Sequence, residues 1–194
     1  MISDTITYFQ SPGNHNFDDV ITIIKDYLSE NSSVKNVVVF AGRTASVFKL
    51  QHSLSEYAVS ISVATYAFNR KFPLPDASEN EERYIIPDVT TRSARDEIIE
   101  SGMNYLQGGL PFEPILSCTG DNATEMIVSA YETISKGLPL CISAAVMAFE
   151  NGILEENEKV LACTGDTAVL VTPAIRRELF CGEFKIHRIL CMPE

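Results

Sequence analysis

The chain has 194 residues, 45% of them hydrophobic and 21% charged, and a formal net charge of −11. That length and balance suit one globular domain whose core needs no disulfide or metal, and exclude a disordered or collagen-like chain. The acidity argues against nucleic acid and against a polybasic membrane anchor, because both need a dense cationic footprint.

Thr5–Phe9 (TITYF) reads as a short strand, closed by the turn signal Ser11-Pro12-Gly13-Asn14. From Phe17 the pattern turns helical. Val20, Ile23, Ile24, Tyr27 and Leu28 form one apolar stripe, with Asn14 or Asn16 as cap and Asp18 and Asp19 at the positive end of the dipole. Val37–Phe40 is a continuous β-branched and aromatic run, which suits a strand buried on both faces. Ala41-Gly42-Arg43-Thr44-Ala45 follows at once, then a short helix carrying Val47, Leu50 and Leu54, then a strand over Tyr57–Tyr66. Strand, helix, strand, helix, strand is the signature of a parallel sheet.

Between Phe68 and Pro87 periodicity fades, and Asp76, Glu79, Glu81 and Glu82 gather; this reads as a solvated flap inside one domain spanning 1–194. A helix over Thr91–Ser101 and a strand over Asn104–Leu106 come next. Asp121-Asn122 is placed to cap a helix with the stripe Ala123, Met126, Ile127, Ala130, Tyr131 and Ile134, ended by Gly137. Leu140–Ile142 reads as a brief strand, Ser143–Glu150 as a helix, and Lys159–Cys163 and Ala168–Thr172 as strands. Lys185–Cys191 alternates, as an antiparallel edge strand would. The fold class expected is α/β, a three-layer α/β/α sandwich with a mostly parallel sheet.

In such sheets ligands collect beyond the carboxyl ends of the strands, where helix N-termini offer N–H groups to an anion. The Gly42–Ala45 loop has suitable parts: Gly42 permits close approach, Thr44 offers a hydroxyl and Arg43 a bidentate fork. Lys49, Arg70 and Lys71 add charge on neighbouring segments. The string Cys-Thr-Gly-Asp occurs at Cys118–Asp121 and again at Cys163–Asp166, a coincidence of composition rather than a repeat. Other chemistries find little support, for GxSxG, HExxH, GxGxxG and Walker loops are all absent. His15, His52 and His187 are far apart, with no pair at metal spacing, so no metal site is expected. The five cysteines, Cys118, Cys141, Cys163, Cys181 and Cys191, form no CxxC and suit a reduced cytoplasmic protein in which thiols act as small hydrophobes. Met1-Ile2-Ser3-Asp4 has no basic targeting region, and no apolar run is long enough to span a bilayer.

The segment Val37–Ala45 resembles the strand and effector-phosphate loop of the pyruvate kinase C-terminal α/β domain, and Thr164–Val171 resembles that domain's second Gly/Thr loop. Taken end to end, the chain is similar to the stand-alone pyruvate-kinase-C-terminal-like proteins of archaea and bacteria. The marks are Tyr8-Phe9 with Pro12-Gly13, Gly42–Ala45, Val63-Ala64-Thr65-Tyr66, Asp166-Thr167-Ala168, Thr172-Pro173-Ala174 and the closing Ile189-Leu190-Cys191-Met192-Pro193. The resemblance implies that domain's fold without pyruvate kinase activity, whose catalytic barrel is a separate domain. It also implies a phosphorylated ligand, with FMN as the cofactor associated with the stand-alone proteins. Gly42, Thr44, Gly165 and Thr167 would then cradle the phosphate within the loops that include Ala45 and Asp166. Arg43 would add charge, and Tyr66 and Asn69 would lie near the ring or sugar. A small-molecule binding domain is the leading expectation. A flavin-dependent oxidoreductase using the same pocket and an oligomeric regulatory or sensor module are the alternatives, so whether the chain is an enzyme stays open.

Overall fold

A computed structural model describes residues 5–73, 84–112 and 122–194. In chain order the elements are β1 (Thr7–Phe9), α1 (Phe17–Glu30), β2 (Asn36–Phe40), α2 (Thr44–Ser53), β3 (Ser60–Thr65), β4 (Phe72–Pro73), β5 (Tyr84–Ile85) and α3 (Arg92–Glu100). There follow β6 (Asn104–Gln107), α4 (Asn122–Glu132), α5 (Leu138–Glu150), β7 (Val160–Cys163), β8 (Ala168–Thr172) and β9 (Lys185–Pro193). Single 3₁₀ turns occupy Asn14–Asn16, Asp88–Thr90 and Arg176–Glu178.

One seven-stranded sheet has the order β1-β9-β8-β7-β2-β3-β6. The β1/β9, β7/β2, β2/β3 and β3/β6 pairs are parallel. Only β8 runs against its neighbours β7 and β9. The fold is therefore mixed α/β about a mostly parallel sheet.

The run Val37–Phe40 shows why helices cover both faces. Successive strand residues point to opposite sides. Val37 and Val39 join the core formed with Val20 and Ile24 of α1, Val47 and Leu50 of α2, and Ile98 of α3. Val38 and Phe40 join the other core, which is dominated by α5 and flanked by Ile127 and Tyr131 of α4. A strand sealed on both sides has no need of polar alternation, and that is the pattern found.

Four readings of the sequence need correction. Leu140–Ile142 is not a strand: it lies within α5, whose residues from Leu138 to Ala148 are buried except for Leu140. A helix enclosed on all sides loses its amphipathic period, so its apolar run looks like a buried strand. Pro139 belongs to the first turn of α5, where its missing N–H costs nothing, and Gly137 is the N-cap of α5 rather than the end of the helix before it. The closing strand is an edge only in part: β1 pairs with its last three residues, Thr7 opposite Cys191 and Phe9 opposite Pro193, while Lys185–Leu190 has β8 alone beside it. The outermost strands are β1 and β6. The third strand starts at Ser60 rather than Tyr57, since Tyr57 and Val59 complete the turn leaving α2.

Part of the expected flap is ordered ladder: Phe72 pairs with Ile85 and Pro73 with Tyr84. Asp76, Glu79, Glu81 and Glu82 lie outside the described residues, as do Met1–Asp4 and the first Cys-Thr-Gly-Asp string.

Candidate functional site

Each helix that follows a parallel strand begins at the strand's carboxyl end, so the loops after β2, β3 and β7 share one edge of the sheet. From β2 the chain moves to β3 through α2 on one face, whereas β7 is reached through α5 on the other. The β2/β7 boundary, with Val39 opposite Cys163, is thus where connections on the two faces diverge. Ligand crevices form at such points. Gly42–Ala45 and Gly165–Thr167 flank this boundary.

The loop after β2 is held at its root and open at its tip. Thr65 Oγ1 donates to the Ala41 carbonyl at 2.8 Å, and Ala41 N–H donates to Ala64. Arg43 is exposed and extended (φ −131°, ψ 127°) just before α2. The Thr44 N–H is taken by Asp88 Oδ1 at 2.9 Å. An exposed carboxylate from the turn at Asp88–Thr90 therefore already answers the positive end of α2. Pro87 approaches as well, its Cβ 3.9 Å from where a Cβ on Gly42 would stand. The Arg43 fork, the Thr44 hydroxyl and the first-turn N–H of Ala45 are what this loop can offer an oxyanion.

The loop after β7 is closed. Asp166 Oδ2 accepts from Gly13 N–H at 2.7 Å, and its Oδ1 accepts from the hydroxyls of Thr167 at 3.1 Å and Thr164 at 3.3 Å. Ser135 Oγ lies 2.8 Å from Thr167 Oγ1 and itself accepts from Gly137 N–H. Because the Thr167 proton goes to Asp166, the Ser135 hydroxyl donates to Thr167. A Cβ on Gly137 would overlap Thr167 and would stand 2.7 Å from Thr164 Oγ1; one on Gly165 would stand 3.0 Å from the Asn14 Cα. The two glycines are there so that α5 and the β1 loop can press against this knot.

The loop after β3 is aromatic. The Tyr66 ring meets Phe40 and Phe72 edge-on, with centroids 4.8 and 4.7 Å away. Asn69 is exposed with φ 60°, a left-handed position that asparagine tolerates. Arg70 lies over Phe72, Lys71 over Tyr84 and Arg92 over Phe68.

The structure thus brings Gly42, Arg43, Thr44 and Ala45 to the same boundary as Gly165, Asp166 and Thr167, while Tyr66 and Asn69 stand at the far side of β2. Several residues of this edge were not expected at the site from the sequence: Asp88, Asn14, Ser135 and Gly137. The turn signal Pro87-Asp88 before Thr91, a true cap whose hydroxyl accepts from Ala94 N–H, announces a helix start. It says nothing of a bond to α2.

Thiol catalysis finds no support here. Burial pushes the Cys141 and Cys163 thiols well up, and that of Cys191 to about 12, so all three stay protonated at neutral pH. His15 bonds instead to Ser11 at the surface. Among the described residues no group of three His, Cys, Asp or Glu is arranged to hold a metal ion. No helix among them is long and apolar enough to cross a membrane.

A cavity of about 580 Å³ opens near Phe48, His52, Tyr57 and Met103, toward the amino ends of the strands. Two others, of about 390 and 230 Å³, lie along β6. None of the three is lined by the residues of the expected site. For FMN the fit is divided. The open α2 loop suits a phosphate, but Tyr66 is already flanked by two rings and offers no slot for a flavin among the described residues. No protein-family model matches this chain.

Proposed function

We propose that the chain is a cytoplasmic binding domain for a phosphate-bearing small molecule, held at the β2/β7 boundary. The observation that carries this reading is the placement of Gly42–Ala45: an open loop with an arginine, at the start of a helix, where connections on the two faces diverge. The phosphate is bound by the Arg43 fork, the Thr44 hydroxyl and the first-turn amides, with Gly42 allowing close approach. Gly165, Asp166 and Thr167 act as the rigid wall of the crevice, since the side-chain oxygens of Asp166 and Thr167 are already used within the knot and Gly165 is packed against Asn14. Tyr66 and Asn69 form the side of the site toward β3. The pyruvate-kinase-C-terminal-like fold and FMN follow from the sequence resemblance, and FMN is the first compound to test. The cytoplasmic assignment is supported by the free thiols of Cys141, Cys163, Cys181 and Cys191.

Asp88 gives the reading its sharpest test, for its carboxylate competes with the phosphate for the end of α2. Titration of FMN followed by flavin fluorescence, with inorganic phosphate as competitor, is expected to show saturable quenching. Arg43→Gln should weaken binding about tenfold, and Asp88→Ala should tighten it. Absence of saturable binding, with no phosphate ester co-purifying by mass spectrometry, would overturn the proposal.

A further inference from the structure

A separate grouping of cations lies on the edge strand. Arg92 and Arg95 are three residues apart on α3 and so share a face. The cavity of about 230 Å³ is walled by both of them with Phe68, Thr90 and Gln107. The cavity of about 390 Å³ shares Arg95 and Gln107 with it and continues past Gly108 and Gly109 to Glu150 and Arg176. The two therefore adjoin, and their lining carries three guanidinium groups against one carboxylate, in a chain of net charge −11.

That carboxylate is engaged. Glu150 Oε1 accepts the Arg176 N–H at 2.7 Å, while the side-chain contact, Nη2 to Oε2, is a loose 3.9 Å. Among the described residues no carboxylate stands within ion-pair distance of Arg92 or Arg95. The Arg92 guanidinium instead lies 5.9 Å over the half-exposed Phe68 ring, a position that orients it without neutralising it. The walls are fixed: Gln107 Nε2 donates to the Thr90 carbonyl at 3.0 Å, and Tyr105 Oη to the Val89 carbonyl at 2.8 Å. Burial raises the Tyr105 pKa to about 12 against the opposing pull of Arg95, so the phenol adds no negative charge.

We infer that this edge is a second anion site, taking a small molecule with two anionic groups, one read by Arg92 and Arg95 and the other by Arg176. A planar carboxylate and a tetrahedral phosphate each present a pair of oxygens that an arginine fork binds in bidentate fashion. The inference does not depend on the Gly42–Ala45 reading, which uses different residues at the far side of β3.

The test is calorimetric titration of the full chain with pyrophosphate, and in a second arm with succinate, at low ionic strength where exposed guanidinium–anion contacts are least screened. Saturable binding is expected for at least one probe, and the tighter probe tells phosphate from carboxylate. Because the Gly42–Ala45 loop would also take pyrophosphate, the variants are compared in an R43Q background: there R92Q/R95Q should weaken binding at least about tenfold, and R92K/R95K should weaken it less because charge without the fork is retained. All of these side chains are exposed, so an unchanged melting temperature confirms that the variants fold. In that background, binding that survives R92Q/R95Q undiminished overturns this site, and binding already abolished by R43Q overturns it while favouring the first. No saturable heat with either probe overturns it outright.

Discussion

Two Gly/Thr loops leave neighbouring parallel strands at the same edge of the sheet, and their fates are opposite. After β2, Gly42 faces nothing nearer than the Pro87 Cβ, and one exposed carboxylate covers the helix start. After β7, the polar atoms of Asp166 and Thr167 bond to the β1 loop, to Thr164 and to Ser135, and Gly137 and Gly165 exist to let neighbours close in. Similar residue types thus make an accessible anion loop in one place and a structural joint in the other. What separates them is whether another segment packs against the loop.

Alanine at the glycines should widen this contrast most. At Gly137 the new Cβ would run into the buried side chains of Thr167 and Thr164. Overpacking of that kind is expected to cost about 3 kcal/mol and to lower the melting temperature by ~6–12 °C. Gly42→Ala meets only ordinary contact and has no left-handed φ to lose, so a change within about 0.5 kcal/mol is expected. If thermal melts show the two equal, the contrast fails. Thr167→Val should cost about 2 kcal/mol, because the isosteric change strips a buried hydroxyl from between Ser135 and Asp166.

Alkaline pH probes the dryness of the closed loop. Cys163 leads directly into it, and the Cys141 S–H donates to the Thr167 carbonyl at 3.7 Å. Both folded pKa values are raised by burial, so their contribution is complete below the unfolded thiol pKa of about 8.5 and is lost as pH rises above it. The unfolding free energy from denaturant titrations should therefore fall by up to about 1.4 kcal/mol per pH unit per thiol above that pH, and less steeply in Cys141→Ala. A flat profile from pH 8 to 10 would mean that water reaches the thiols. A smaller effect than at the closed loop is expected at the open one: Asp88→Ala removes one exposed cap and should cost about 0.5–1 kcal/mol by the same measurement.

Much of the architecture was legible in particular residues. The stripe from Val20 to Leu28 marked α1 because a half-buried helix must repeat every three to four residues. Val37–Phe40 marked a strand sealed on both faces. Leu140–Ile142 misled for the reason that made Val37–Phe40 clear: full burial erases periodicity, and only length and the Pro139 position tell helix from strand there. The alternation in Lys185–Cys191 suggested an edge, and Lys185–Leu190 is one; the strand Thr7–Phe9 covers only Cys191–Pro193, a pairing between the two ends of the sequence that no local pattern encodes.

The anion loop was legible in composition, and its neighbours were not. Gly42, Arg43 and Thr44 announce a helix start suited to phosphate, yet the Asp88 carboxylate that occupies the Thr44 amide comes from 44 residues away. Gly13 and Asp166, whose bond helps to close the second loop, are separated by 153 residues.

The charge of −11 says that this chain as a whole repels polyanions. By itself the sequence determined that charge, the succession of strands and helices, and the residue types present at each strand end, because caps, periodicity and composition act over a few residues. Only the tertiary structure decided where the cations gather along β6, which Gly/Thr loop stays open and which is shut. Desolvation and hydrogen bonding of a loop depend on what is packed against it, and that is set by strand order across the whole sheet.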